Sequence, residues 1–248
     1  NLEAIRFQNK SLRYEELIEA GNRLAAALME IGVEKGEHVG VWLPNRMEWL
    51  AIDIGISRAG AVLIPINTRY TADEVEYILR FSEVTTLFMI DQFQKIDYLS
   101  IIERMCPDLE TFNPGKMKSA HLPKLKNVVL LGSKIPKWAF SFKSLNDIGR
   151  NWKSNRSLLD RQKTIDVNDP AKVFFTSGTT SFPKGAVLLQ HLWKNMKSIA
   201  ERIEIQPGDK ILVTTPLFYI LGNLQLVLAP LLKGACVCLV ERFDPKLI

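Results

Sequence analysis

The stretch Val173-Phe174-Phe175-Thr176-Ser177-Gly178-Thr179-Thr180-Ser181-Phe182-Pro183-Lys184-Gly185-Ala186-Val187-Leu188-Leu189 decides the reading of this chain. Val173 to Phe175 is an apolar run that reads as a buried strand, and Ala186 to Leu189 reads as a second. Between them lie hydroxyl side chains, glycines and one lysine, the composition of a loop that wraps a polyphosphate. Gly178 lets the main chain approach an anion, the hydroxyls and amide N–H groups donate to it, and Lys184 supplies the counter-charge. The common P-loop is excluded. That motif ends in Gly-Lys followed by Ser or Thr, whereas here Pro183 precedes Lys184 and Gly185 follows it.

Upstream of the loop the chain alternates between two periods. Tyr14 to Ile31 carries a helical stripe (Leu17, Ala20, Leu24, Ala27, Leu28, Ile31) stopped by Gly32, although Arg13 stands where a Ser or Thr cap is expected. Val39 to Leu43 is a predicted strand, Met47 to Ala59 a helix, and Ala61 to Ile64 a strand ended by Pro65. Thr71-Ala72-Asp73-Glu74 is a capping box that opens a helix to about Ser82, and Thr86 to Ile90 is a further strand. Strand and helix alternating over short connections predict an α/β fold with parallel-rich sheets flanked by helices. Ile96 to Met105 reads as helix, Pro107 to Lys126 as an exposed connection, Asn127 to Leu131 as strand, and residues 150 to 170 as a polar loop. Downstream, Leu192, Met196, Ile199 and Ile203 form a helical stripe. Lys210 to Thr214 is a strand, 223 to 232 a helix, and Ala235 to Val240 a last strand. Two sub-sheets are expected, with a first subdomain over 1–150 and a second, carrying the loop, over 151–248.

Composition narrows the function classes. With 47% hydrophobic and 24% charged residues the chain has the make-up of a globular protein, not of a disordered one. The net charge is only +5 and the basic residues are scattered, with no stripe of basic and aromatic residues, so no nucleic-acid partner is expected. The most apolar stretch, Pro216 to Leu232, is interrupted by Asn223, Gln225 and proline. It reads as a buried core helix, and no transmembrane segment is predicted. No signal peptide is visible at the first residues. Cys106, Cys236 and Cys238 suggest a reducing compartment, hence the cytoplasm, and lack metal-ligand spacing with the histidines.

Taken with its surroundings, the loop resembles the signature Thr-Ser-Gly-Thr-Thr-Gly-x-Pro-Lys-Gly of the AMP-forming adenylating superfamily, which includes acyl- and aryl-CoA synthetases, peptide-synthetase adenylation domains and beetle luciferases. Residues 176–185 follow that pattern, with Ser181 in place of its second glycine. Leu12 to Leu17 resembles the family's first helix motif, and Gly36 to Asn45 with Ala59 to Asn67 its first sheet and helix. Thr215 to Gly222 resembles its Pro-Leu-Phe-His segment, with Tyr219 at the histidine.

The resemblance implies the large N-terminal domain of an acyl-adenylate-forming enzyme. Its reaction would be ATP-dependent activation of a carboxylic acid to acyl-AMP and then, with coenzyme A, to acyl-CoA. The small-molecule partners implied are the acid, ATP with Mg²⁺, and CoA, and the resemblance allows a homodimer. Thr176, Ser177, Gly178, Thr179, Thr180, Ser181, Lys184 and Gly185 would hold the ATP phosphates, and Phe218, Tyr219 and Gly222 would shape the acyl/CoA pocket. A core tyrosine with a satisfied hydroxyl is the alternative for Tyr219. Tyr219 with Ile220 and Leu221 points to an aliphatic acid, and the overall pattern most resembles the medium- or long-chain acyl-CoA synthetases of the family. The family's Mg²⁺-holding glutamate, ribose-binding aspartate and C-terminal lysine domain have no match within the sequence, so it is expected to be about the first half of such an enzyme and inactive alone. The alternatives are a non-catalytic nucleotide- or acyl-binding module, an aryl-CoA ligase and a peptide-synthetase adenylation domain.

Overall fold

In the computed structural model, residues 2–176 and 183–242 are described. The chain opens with a hairpin, β1 (Glu3–Phe7) and β2 (Lys10–Arg13), and turns directly into α1 (Tyr14–Glu30). The absent Ser or Thr cap is replaced in reverse: the Glu16 carboxylate accepts the Arg13 backbone N–H at 2.7 Å. Next come β3 (His38–Trp42), α2 (Met47–Arg58), β4 (Val62–Pro65), α3 (Ala72–Phe81) and β5 (Thr86–Met89). The Thr71–Glu74 capping box forms as expected: Thr71 Oγ1 accepts the Glu74 N–H, and the Glu74 carboxylate accepts the Thr71 N–H at 2.8 Å.

A two-stranded hairpin, β6 (Gln92–Phe93) with β7 (Ile96–Asp97), precedes α4 (Tyr98–Met105), so the helix expected from Ile96 starts two residues later. Asp97 causes the delay, because its side chain accepts the Ser100 N–H at 2.9 Å and sets the cap there. After β8 (Asn127–Leu130), β9 (Phe140–Ser141) and α5 (Phe142–Ile148), the region expected to be a loop contains a 3₁₀ segment (Gly149–Ser154) and α6 (Arg156–Lys163). Asn155 caps α6 at the Leu158 N–H, and Leu158 is its one buried residue, so no apolar stripe marked the helix.

The last elements are β10 (Pro170–Thr176), β11 (Lys184–Leu189), α7 (Leu192–Arg202) and β12 (Lys210–Val213). A π-helix (Leu221–Leu228) then runs into α8 (Ala229–Leu231), and β13 (Cys236–Leu239) follows. The expected helix over 223–232 therefore begins two residues early, with wider turns.

One sheet has seven strands in the order β11-β10-β4-β3-β5-β8-β9, parallel except for the β10–β11 hairpin. Its central strands are largely apolar because both faces are covered, and the buried polar side chains Asn127 and Thr86 bond each other, Asn127 Nδ2 donating to Thr86 Oγ1 at 3.0 Å. Val39, Val41, Leu63, Phe88 and Val129 join a core with α1 and α2. Their neighbours Trp42, Val62, Ile64, Leu87, Met89, Val128 and Leu130 join a second core with α3 and α4. Each such buried side chain contributes about 1.5–3 kcal/mol of transfer free energy. The other sheet, β12-β13-β1-β2, pairs the two ends of the chain: Ile5 lies opposite Val237 in parallel register. Both sheets thus contain strands from before and after residue 150, the place where a division was expected.

Among the described residues no helix is long and apolar enough to cross a membrane, and no group of three His, Cys, Asp or Glu could hold a metal ion. The three cysteines are unpaired.

Candidate functional site

The loop quoted above leaves the sheet at the end of β10 and returns at the start of β11. Ser177, Gly178, Thr179, Thr180 and Ser181 lie outside the described residues; Thr176, Lys184 and Gly185 flank them. The flanks close as an antiparallel pair, with Thr176 opposite Lys184 and Thr176 Oγ1 donating to the Lys184 carbonyl at 3.4 Å. Thr176 and Lys184 are exposed, whereas Pro183 is buried. Gly185, paired with Phe175, is needed for close approach: a Cβ there would lie 2.9 Å from Val173 Cγ1. β10 thus delivers a hydroxyl and β11 an ammonium to one edge of the sheet.

That edge is the carboxyl end of the parallel strands, where open α/β sheets bind ligands. β10 runs parallel to β4, and the chain leaving β4 carries Asn67, whose Nδ2 donates to the Tyr219 hydroxyl at 3.3 Å. Tyr219 is therefore anchored beside the strand that ends in the loop. It is 44% exposed, so the reading of it as a core tyrosine is not met. Phe218 is buried and packs edge-on against Tyr219, with ring centroids 4.7 Å apart. Gly222 lies under the turn that carries both rings, with the Tyr219 N–H donating to the Pro216 carbonyl at 3.1 Å. A Cβ on Gly222 would come within 2.3 Å of the Pro216 oxygen. The apolar neighbours Ile220 and Leu221 are 38% and 46% exposed.

A cavity of about 370 Å³ adjoins the Phe218 ring. Phe218 and Pro216 form one wall, and Thr68, Arg69, Tyr98 and Arg242 are among its other lining residues. A larger cavity, about 600 Å³, lies among α1, α2, α7 and the π-helix, and none of the expected site residues lines it. The smaller cavity is the better placed for chemistry, because Phe218 lines it together with residues that leave the strand ends, Asn45, Thr68 and Thr214.

Two features of this region escaped the sequence reading. Asn45, 4% exposed, fastens the segment before Phe218: its Nδ2 donates to the carbonyls of Thr215 and Val240 at 3.2 and 3.0 Å, and its Oδ1 accepts the Leu217 N–H at 2.8 Å. The Pro44-Asn45 pair read only as a strand stop. Lys172, one residue before the apolar run of β10, is 2% exposed and bound to Asp53 and Asn223. Its signal was a charged residue inside a buried strand pattern.

Known proteins resemble this chain over nearly all of its length. The family described as AMP-binding enzyme matches residues 1–248. YngI of Bacillus subtilis (strain 168), named for an acyl-CoA synthetase, is 30% identical over 246 residues, 98% of this chain and 45% of that protein. The mouse mitochondrial medium-chain acyl-CoA ligase ACSF2 is 30% identical over 240 residues, 94% of this chain and 38% of that protein. The crystal structure of the anthranilate CoA ligase AuaEII in complex with anthranoyl-AMP superposes with a TM-score of 0.78 at 22% identity, over 98% of this chain and 42% of that one. The chain thus spans less than half the length of these relatives. With its motif flanks, sheet order and strand-end cavity in the arrangement described, the chain belongs to the AMP-binding enzyme family.

Proposed function

We propose that this chain forms the ATP-phosphate and acyl-entry walls of an acid–thiol ligase. A carboxylate oxygen attacks the α-phosphorus of ATP, the bond to the β-phosphate oxygen breaks, and acyl-AMP and pyrophosphate result. The thiol of coenzyme A then attacks the acyl carbon and AMP leaves with the bonding electrons. Thr176, Ser177, Gly178, Thr179, Thr180, Ser181, Lys184 and Gly185 take the β- and γ-phosphates. Lys184 stabilises charge that develops on the departing pyrophosphate, and no nucleophile from the protein is needed. Phe218, Tyr219 and Gly222 shape the path of the acid. Mg²⁺ would enter with ATP, but the described residues offer it no cluster of acidic ligands. An aliphatic acid is favoured by the exposed apolar pair Ile220–Leu221, a medium- or long-chain one by the likeness to the medium-chain acyl-CoA ligase, and unpaired cysteines favour a reducing, cytoplasmic setting.

The observation that carries this reading is the convergence of Thr176, Lys184 and Tyr219 on the carboxyl ends of adjacent strands. Acid-dependent ATP–pyrophosphate exchange tests it, run on the 248-residue chain and on the protein as its native gene encodes it. Exchange is expected only from a chain longer than these residues. Lys184→Ala should slow that exchange by about 10- to 1000-fold, the range for removing one charge-stabilising donor. Unchanged exchange in Lys184→Ala would remove the phosphate assignment, and robust exchange by the 248 residues alone would remove the partial-site reading.

A further inference from the structure

Lys172 sits in the middle of β10 with 2% of its surface exposed. Its Nζ donates to both oxygens of Asp53 on α2, at 2.8 and 2.6 Å, and to Oδ1 of Asn223 on the π-helix at 2.7 Å. Asn223, 1% exposed, closes the triangle by donating from Nδ2 to Asp53 Oδ2 at 3.1 Å. Burial pushes the Lys172 ammonium below its ordinary range, and the Asp53 carboxylate opposes that shift.

A buried ion pair is a poor device for stability alone. Apolar residues of similar volume in its place are often neutral or stabilising. What a closed polar triangle supplies is one allowed register among the parts that it joins, because any slip leaves a buried charge unmatched. The parts joined here are the two segments of the proposed reaction. Lys172 and Thr176 are an even number of residues apart on one strand, so their side chains share a face of β10, and Thr176 begins the phosphate loop. Asn223 follows Gly222 directly, and its backbone N–H donates to the Tyr219 carbonyl at 2.9 Å.

We propose that Lys172, Asp53 and Asn223 are positioning residues that hold the phosphate-loop strand in fixed register with the Tyr219 segment, so that the nucleotide and the acid meet in line. This rests on the ligase reading above. The brace contains none of the residues assigned above to ATP or to the acid. It acts through β10 and the π-helix, and an error of about 1 Å in such placement costs on the order of 100-fold in rate.

The test uses the protein as its native gene encodes it, with two variants. Asn223→Leu cuts the link to the π-helix and keeps the ion pair; Lys172→Met/Asp53→Leu/Asn223→Leu replaces the whole triangle by apolar groups. The triple variant is expected to unfold in urea at a midpoint no lower than wild type. Both variants should exchange the amides of 184–189 and 221–224 about 10-fold faster relative to those of β3 and β5, a local opening. In acid-dependent pyrophosphate exchange both should lose about 10- to 100-fold in kcat, with the KM for ATP changed less than about twofold. Folded variants with wild-type amide exchange and wild-type kcat would overturn the proposal and leave the triangle a packing feature. If the triple variant does not fold, Asn223→Leu decides the question by the same two readouts. A wild-type protein that activates no acid in a panel of chain lengths would overturn the ligase reading and the catalytic role of the brace together. The amide exchange of the variants would then show whether the mechanical link exists without that chemistry.

Discussion

At Gly222 the fit between sequence and site comes down to one missing carbon. An added Cβ would meet the Pro216 oxygen at 2.3 Å, its carbon at 2.9 Å and the Thr215 oxygen at 2.9 Å. All three are backbone atoms, so no side-chain rotation relieves the overlap. Gly222→Ala must therefore push the start of the π-helix away from the Thr215–Pro216 segment. The expected cost is about 1–3 kcal/mol of unfolding free energy, read from urea midpoints. The displaced turn carries Phe218 and Tyr219, so the contact between Tyr219 and Asn67 should be lost as well. An unchanged urea midpoint would show that the turn has slack that this packing denies. Glycine was legible here only through the resemblance, since nothing in Ile220-Leu221-Gly222 states which backbone lies against it. Lys172 is the opposite case: its oddity is visible in the sequence, but its partners are 119 and 51 positions away.

Among the elements, the strand–helix alternation from β3 to β5 was legible because each piece carries its own signal: an apolar run, a capping box, a stop. α6 and the β1–β2 hairpin were not. α6 buries little, and Lys10–Arg13 alternates weakly at the surface, so neither shows the period of its type. The end of β5 depends on a contact that no local pattern shows. Asp91 accepts the N–H groups of Ser133 and Lys134, at 3.0 and 3.3 Å, and of its neighbour Gln92 at 2.8 Å, tying the exits of β5 and β8. Burial raises the Asp91 carboxyl, but those N–H groups outweigh it and hold the carboxyl below its ordinary 3.8. A carboxylate depressed on folding stabilises fully above its unfolded value, about 3.9, and that contribution is lost as pH falls through the folded value. Wild type should therefore be more stable than Asp91→Asn at pH 7, with the gap closing at pH values below about 4. Urea midpoints measured from pH 7 down to pH 3 give the two curves. Curves that stay parallel throughout would mean that Asp91 contributes no proton-linked stability.

For the molecule as a whole, the order of the strands was the least legible level. Alternation predicted parallel sheets, yet nothing local says that the first strand pairs with the last, Ile5 opposite Val237. The seven-stranded and four-stranded sheets meet where Asn45, leaving β3, binds the segments that leave β12 and β13. That side chain bridges the two sheets and also fixes the approach to Phe218. Asn45→Ala would leave the buried Leu217 N–H and the carbonyls of Thr215 and Val240 without this partner. One unsatisfied buried group costs about 1–3 kcal/mol, so a loss of at least that size is expected. The fold should also lose unity. Amides of β12 and β13 should become less protected than those of β3 and β5, whereas in wild type both sheets are expected to open together. Hydrogen exchange at graded urea separates this from a uniform loss. If Asn45→Ala lowers both sheets equally, the sheets are joined mainly by the shared apolar core of Val39, Val213 and Val237, and the asparagine only orients the loop that bears Phe218.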